Sequence, residues 1–477
     1  MGLYLGLDLG TTKIAAVIID AATGEPLAVA SAPEPKPLSA APGRSEWDAG
    51  AMVARALATG REALAASGRT GEVRGIGVTG QQHGMVLAGS TPEGGPRPLG
   101  PFIGWQDRRA DEPDGAFPST VARMHHLAGE AALARTGCRL ASGFLGATLY
   151  WLAGRELLPQ EATCAVTLPD YVVACLCAQP PVTDPTNAAG AGLLDVAARR
   201  WDAELIAALD LRVDLLAPIR STGAIVGQLA PDAAVALGLP AGVPVMNALG
   251  DNQASFFGSI GVATGDLLVN IGTGGQISAI AEGFVRGELL ETRPYLGATH
   301  LLVGAGILGG RSYALLRDFI RQIGREVFGV ERTDDLYPLL NALAAATPSG
   351  SDGLRCDPRF GGNRFDPDQR GSFTGLDART FTPGHLARAV LEGMAETFRA
   401  LYDTMLAAGL TPRTRLVGSG NGLQRNPLLA DRLNETFALP LVSPRHAEEA
   451  ARGAATLAAI AVGELSAAEA TARLAHV

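Results

Sequence analysis

Short apolar runs separated by small polar turns open the chain. LYLGLDL (residues 3–9), IAAVIID (14–20) and PLAVA (26–30) are joined by GTT and AATGE. Apolar runs of this length with Gly- and Thr-containing turns between them predict an antiparallel meander. AGAMVARALATGREALAAS (49–67) has the Ala-rich pattern of a helix, and VRGIGVTG (73–80) reads as a further strand. Helical and strand-like segments then alternate to about Gly250, which predicts an α/β layered domain.

The second half begins in the same way. LLVNIGTGGQISAIA (267–281) is again strand, Gly-Thr turn, strand, an echo of LGLDLGTTKIAAVII. Such an echo suggests two lobes of similar fold, here residues 1–248 and 249–477, although Gly-Thr turns are common enough for coincidence to give it. The segment 348–375, rich in Gly, Pro, Asp and Arg, is too long for an ordinary connection and is expected to be a functional loop or lid. Three- and four-residue apolar spacings resume in PGHLARAVLEGMAETFRALYDTML (383–406), as in a helix.

Composition removes several classes of function. The 477 residues carry a net charge of -9 with no basic block, so a nucleic-acid surface is not expected. No apolar run approaches the ~18 residues of a membrane span. The start lacks a basic segment and a cleavage site, and Asp8 interrupts its apolar run, unlike a signal peptide. The cysteines show no CxxC spacing, and Cys175 and Cys177 sit in an apolar stretch as inert core thiols. A soluble cytoplasmic enzyme is the expectation. Lysine occurs only at Lys13 and Lys36, so one of two lysines stands beside the first Gly-Thr-Thr turn.

That turn has the makings of a phosphate site. Its glycine lets backbone approach an anion closely, Lys13 adds a compact charge, and Asp8 can hold a hydrated Mg²⁺. A polar hairpin end at the surface would look the same, but two facing hairpins would favour a nucleotide clamped between lobes. Gly-Lys never occurs, which excludes a P-loop. The GxGxxG at Gly304, Gly306 and Gly309 lacks an acidic residue ending a second strand, since Asp318 falls in a helical pattern. Asp251 and Asn252 follow an apolar strand and a glycine. Asp251 is placed either to accept a proton at a cleft or to cap the helix that follows, and both can hold. Gln81, Gln82 and His83, between glycines, suit a polyhydroxylated ligand, although a bland surface turn would read alike.

LGLDLGTTK, GVTGQQHG, GWQDRR, ALGDNQAS, VNIGTGGQ, LVGSGNGLQRNPLLAD and EEAARGAA occur here in the order found in the FGGY family of sugar kinases, and the chain resembles that family from about residue 3 to 465. The resemblance implies two ribonuclease H-like lobes of the actin and heat-shock-chaperone superfamily, with MgATP and a sugar in the cleft between them. Within the family, LASGFLGATLYWL, LPDYVVACLC, DPTNAAGAGLLD and RFDPDQRG look like sedoheptulokinases, with xylulokinases the close competitor. Glycerol kinases fit less well, since they carry Arg-Glu where this chain has Gln82-His83. The implied reaction is transfer of the γ-phosphoryl of ATP to a ketose's terminal hydroxyl, C7 for sedoheptulose.

Carried over by residue, Asp251 resembles the general base and Asp8 the acid that binds Mg²⁺ through water. Thr11, Thr12, Gly272 and Thr273 match the phosphate hairpins. Gly418, Gly420, Asn421 and Asn426 match the adenosine motif, with Gly310 beside it. Gln82, His83, Trp105 and Asn252 would face the sugar. Two departures stand out: Gln82 takes a position that is usually Met in ketose kinases, and Ala15 takes that of the family's basic residue. Lys13 lies two residues earlier on the same strand face and is expected to replace it. The implied partners are a small sugar and ATP, with a homodimer left open. An actin-like nucleotide switch without sugar chemistry is the distant alternative.

Overall fold

The computed structural model describes residues 1–474 apart from 40, 288, 332, 362–365 and 367. Two sheets of matching design organise it. In the first, β1 (Leu3–Leu9), β2 (Lys13–Asp20) and β3 (Pro26–Pro33) form the expected antiparallel meander. Helix α1 (Ala49–Ser67) follows, and it begins and ends where chemistry dictates. Asp48 accepts from the Ala51 N–H at its start, and Gly68 adopts a left-handed φ of 65° at its end. The chain then enters β4 (Val73–Gly80), parallel to β1. After a long excursion that includes the short helix α2 (Pro185–Gly190), it returns through β5 (Ile225–Gln228), β6 (Pro244–Met246) and β7 (Leu249–Gly250). The strand order is β5-β6-β4-β1-β2-β3, with β7 also pairing with β4.

Helix α3 (Asp251–Ile260) leads to the second sheet, built from β8 (Asp266–Ile271), β9 (Gly275–Ala281), β10 (Leu290–Pro294), β11 (His300–Ile307), β12 (Arg415–Ser419) and β13 (Leu441–Val442) in the order β10-β11-β9-β8-β12-β13. Here too an antiparallel hairpin, β8-β9, lies beside a parallel strand, β12. The two Gly-Thr hairpins are thus the same structural device used twice. Helix α4 (Gly310–Phe328) follows β11 directly, and α5 (Pro383–Ala407) covers the sheet, burying Phe398 and Met405. The GxGxxG glycines therefore run from β11 into α4, and Asp318 lies within that helix, not at a strand end.

Three more helices follow in this region, α6 (Asn421–Gln424), α7 (Pro427–Phe437) and α8 (Glu449–Ala461), before a short last helix, Ala467–Arg473. Helix α8 returns across the molecule onto β1, β4 and α3. It comes so close that a Cβ at Gly6 would run into the Ala451 carbonyl oxygen. Tyr4, Gly6 and Asp8 share one face of β1, so the face that meets α8 is the one that carries Asp8.

The segment 348–375 is not wholly irregular. Strands Arg355–Asp357 and Ser372–Thr374 pair within it and the first packs on α5. Part of RFDPDQRG lies outside the described residues. Cys177 is buried and Cys175 partly buried against the core, and burial pushes both thiols up, to about 12 and about 11. Among the described residues no helix is long and apolar enough to cross a membrane.

Candidate functional site

Three parallel strands of the first sheet end level with one another. Leu9 of β1, Gly80 of β4 and Gly250 of β7 are register partners. From this row the chain continues into the Gly10–Thr11–Thr12 turn, into Gln81–His83, and into α3 at Asp251. The carboxyl ends of parallel strands are where open α/β sheets carry their ligands.

One step back along β1, Asp8 pairs with Thr79. Burial, Asp251 and Glu448 together push the Asp8 carboxyl up to about 7, against the opposing pull of Lys13. Its Oδ1 is buried and has no hydrogen-bond partner among the described residues. Glu448 and Glu449, at the start of α8, complete an acidic pocket around it, and burial raises Glu449 as well. No group of three His, Cys, Asp or Glu is arranged to hold a metal alone among the described residues. A hydrated Mg²⁺ needs only one or two carboxylates, and Asp8 offers an oxygen with nothing else to bind.

The helix cap differs from the sequence expectation. Gly250 occupies the N-cap of α3 and Asp251 is the first helical residue, its Oδ1 accepting from the Asn252 N–H at 2.7 Å. Glycine takes the cap because the site is crowded: a Cβ there would lie 2.5 Å from Gln82 Oε1. The Asp251 side chain bonds the first turn of its own helix and also lines the cleft. Asn252 Nδ2 donates to Gln276 Oε1 of β9 at 2.8 Å, tying α3 to the second sheet. Asp251, Asn252, Asn270 and Gln276 line a cavity of about 240 Å³ there.

Lys13 makes an ion pair with Glu448. Thr11 Oγ1 accepts from Trp105 Nε1 at 3.1 Å, which ties the first hairpin to the GWQDRR loop, while Thr12 is exposed. The loop's charges are engaged with one another: Arg109 Nε donates to Asp107 Oδ1 at 2.7 Å, and Nη2 to Glu46 at 2.6 Å. Gln82 is buried behind Gly250. His83 Nδ1 lies 2.8 Å from the Gly190 carbonyl and its ring stacks on Phe144 with centroids 4.1 Å apart. A carbonyl only accepts, so the neutral ring carries its proton on Nδ1 and leaves Nε2 as an acceptor.

The second lobe holds a cavity of about 500 Å³ lined by Gly272, Thr273, Gly310, Asn421 and Asn426, five of the residues singled out in the sequence. The Gly310 N–H donates to the Gly272 carbonyl at 3.0 Å, closing the hairpin onto the start of α4. Gly418 lies on β12, and Gly420 precedes α6 with φ 90°, a conformation suited to glycine. Asn426 caps α7 by accepting from the Leu429 N–H at 3.2 Å. Tyr313, Tyr337, Arg311 and Arg317 also line the cavity, and nothing local in the sequence marks them; Arg425, inside LVGSGNGLQRNPLLAD, lines it too. Tyr313 and Tyr337 stack, and Arg317 donates to the Tyr337 hydroxyl at 3.0 Å. Glu448 and Glu449 were missed as well, although they open the EEAARGAA motif; only the return of α8 onto β1 brings them to Asp8.

Comparison with known proteins identifies the family of the chain. The model of the FGGY family of carbohydrate kinases, N-terminal domain, matches residues 3–258, and that of the C-terminal domain matches residues 274–462. Sedoheptulokinase from Homo sapiens is 30% identical over 474 residues, spanning 92% of this chain and 93% of the human protein. Glycerol kinase from Leptothrix cholodnii is 31% identical over 485 residues, spanning 97% of this chain and 91% of its own. A xylulose kinase structure from Rhodospirillum rubrum superposes with a TM-score of 0.87 at 27% identity, covering 100% of this chain and 93% of its own. Glycerol kinases thus match at the same level as sedoheptulokinases. Overall identity averages over the scaffold, whereas the Gln82-His83 distinction concerns two positions.

Proposed function

Because this chain belongs to the FGGY family of carbohydrate kinases, we propose that it transfers the γ-phosphoryl of ATP to the terminal hydroxyl of a ketose, with sedoheptulose, phosphorylated at C7, as the first substrate to test. The observation that carries this reading is the convergence of Asp8, Asp251 and the Gln82-His83 turn at one strand-end row.

In this reading the adenosine lies in the second-lobe cavity and the phosphates run between the two Gly-Thr hairpins. Asp251 takes the proton from the attacking hydroxyl, its carboxylate held in direction by the Asn252 N–H. The His83 Nε2 accepts from one sugar hydroxyl and Gln82 orients another. Lys13 leaves Glu448 for a phosphate oxygen. Asp8 would hold Mg²⁺ through water, and the ion would supply charge neutralisation for the phosphates. Little covalent work falls to the protein in phosphoryl transfer, so placement of the hydroxyl in line with the γ-phosphorus is its main contribution.

Sedoheptulose is favoured by the four sequence stretches that resemble sedoheptulokinases and by the human relative. A pentulose such as xylulose is the second reading, supported by the Rhodospirillum rubrum xylulose kinase. The test is MgATP-dependent phosphorylation of sedoheptulose, xylulose, ribulose, fructose and glycerol, with the product position read by NMR. Highest kcat/KM for sedoheptulose supports the proposal. Highest kcat/KM for xylulose or glycerol replaces the substrate but keeps the chemistry, and no transfer to any of the five overturns it.

A further inference from the structure

Helix α2 (Pro185–Gly190) lies against both halves of the proposed sugar site. Its last residue, Gly190, accepts from His83 Nδ1 at 2.8 Å, and a Cβ on it would run into the Gln82 carbonyl oxygen. Near its start, Thr186 Oγ1 accepts the Gly250 N–H at 2.8 Å, one residue before Asp251. Asp184, Thr186 and Asn187 are all 0% exposed.

The direction of these bonds is fixed by chemistry. Thr186 donates its hydroxyl proton to Asp184 Oδ1 at 2.7 Å, so its lone pairs are what remain for the amide. Asp184 in turn accepts from the Asn187 N–H at 2.9 Å and from Thr222 Oγ1 at 2.7 Å. Capping of α2 accounts for Asp184. It does not account for Thr186, whose bond leaves the helix and ends on the residue that caps α3. Polar groups buried this deeply are costly unless bonded, and here the bonded chain from Asp184 through Thr186 to Gly250 ends at the entrance of Asp251 to the cleft.

We infer that Thr186 is a positioning residue: through the Gly250 N–H it sets the angle at which Asp251 meets the sugar hydroxyl, while Gly190 at the other end of the same helix sets Gln82 and His83. This inference rests on Asp251 being the base. A shift of the acceptor by about 1 Å is enough to cost roughly 10²-fold in a reaction governed by alignment.

The test compares Thr186→Val, which keeps the shape and removes the hydroxyl, with Thr186→Ser, which keeps the hydroxyl, each scaled to the fraction of enzyme that binds ATP. Thr186→Val should lose ~10–100-fold in kcat with KM for ATP unchanged, and Thr186→Ser should recover to within ~3-fold of the parent. In an Asp251→Asn background, Thr186→Val should have no further effect on the residual rate, because the two act through one group. Equal losses in the Val and Ser variants, or a full additive loss in the double variant, would overturn the positioning role. So would an inactive Asp251→Asn beside a fully active Thr186→Val. Normal turnover in Asp251→Asn alone would instead remove the base assignment on which the inference stands.

Discussion

Asp8 and Asn270 occupy the same place in the two Gly-Thr hairpins. Asp8 pairs with Thr79 across a parallel ladder, and Asn270 pairs with Ser419 across the equivalent one. The fold therefore accepts an amide at this position, and in the first lobe it carries a buried carboxylate instead. A carboxylate pushed up to about 7 by burial and by Asp251 and Glu448 is costly to the apo protein. Asp8→Asn is accordingly expected to raise the apo Tm by ~1–3 °C while removing most turnover, the usual trade at a site organised for a ligand. Thermal unfolding beside a steady-state assay checks both; a lower Tm would show that Asp8 is a structural residue.

The same carboxyl links Mg²⁺ to protons. Its raised pKa means that the apo site holds a proton below about 7, and a cation favours the ionised form. Mg²⁺ affinity should therefore rise with pH up to about 7 and level off above it. Calorimetry at pH 6 in buffers of different ionisation enthalpy should show proton release on MgATP binding, with none at pH 8.5. Asp8→Asn should abolish the difference, and release that persists in the variant would assign it to another group.

Lys13 is expected to exchange Glu448 for phosphate. The Lys13 side chain is 48% exposed, and an exposed pair of this kind contributes about 1 kcal/mol at most. A charge-assisted bond to a phosphate oxygen is stronger, about 1.5–3 kcal/mol. Lys13→Ala should weaken ATP binding by ~10-fold, while Glu448→Gln, which frees Lys13 and removes a nearby negative charge, should tighten it slightly. ATP titration decides: unchanged affinity in Lys13→Ala would assign Lys13 to the α8 contact alone.

Trp105 ties the GWQDRR loop to the first hairpin through its bond to Thr11. Trp105→Phe loses the donor and keeps most of the ring, so a loss of ~3–5-fold is expected in sugar KM. Trp105→Ala loses both and should cost ~10-fold or more, with KM for ATP changed little in either variant. A change confined to ATP would place Trp105 on the phosphate side instead.

What the sequence could supply was whatever depends on neighbours along the chain. Helix α1 occupies the Ala-rich stretch 49–67, and the Gly-Thr hairpins are marked by their own turns. The resemblance then drew Asp8, Asp251 and the second-lobe motifs toward a single cleft, and Gly272, Thr273, Gly310, Asn421 and Asn426 line one cavity. What sequence could not supply depends on chain return. Glu448 and Glu449 reach Asp8 only because α8 crosses back onto β1, and Tyr337 reaches Tyr313 only through tertiary packing. The cap of α3 fell to Gly250 rather than Asp251 because Gln82, far away in sequence, fills the space a side chain would need. Strands within 348–375 were hidden for the same reason, since Cys356 is buried there with the α5 core.

The most direct measurement is a single-turnover assay of phosphoryl transfer from MgATP to the preferred sugar in Asp251→Asn, with ATP affinity measured on the same sample. The predicted result is a fall of at least ~10²-fold in the transfer rate with ATP affinity within ~3-fold of the parent. Transfer at a near-parental rate with intact ATP binding would contradict it and would move the proton acceptor away from the start of α3.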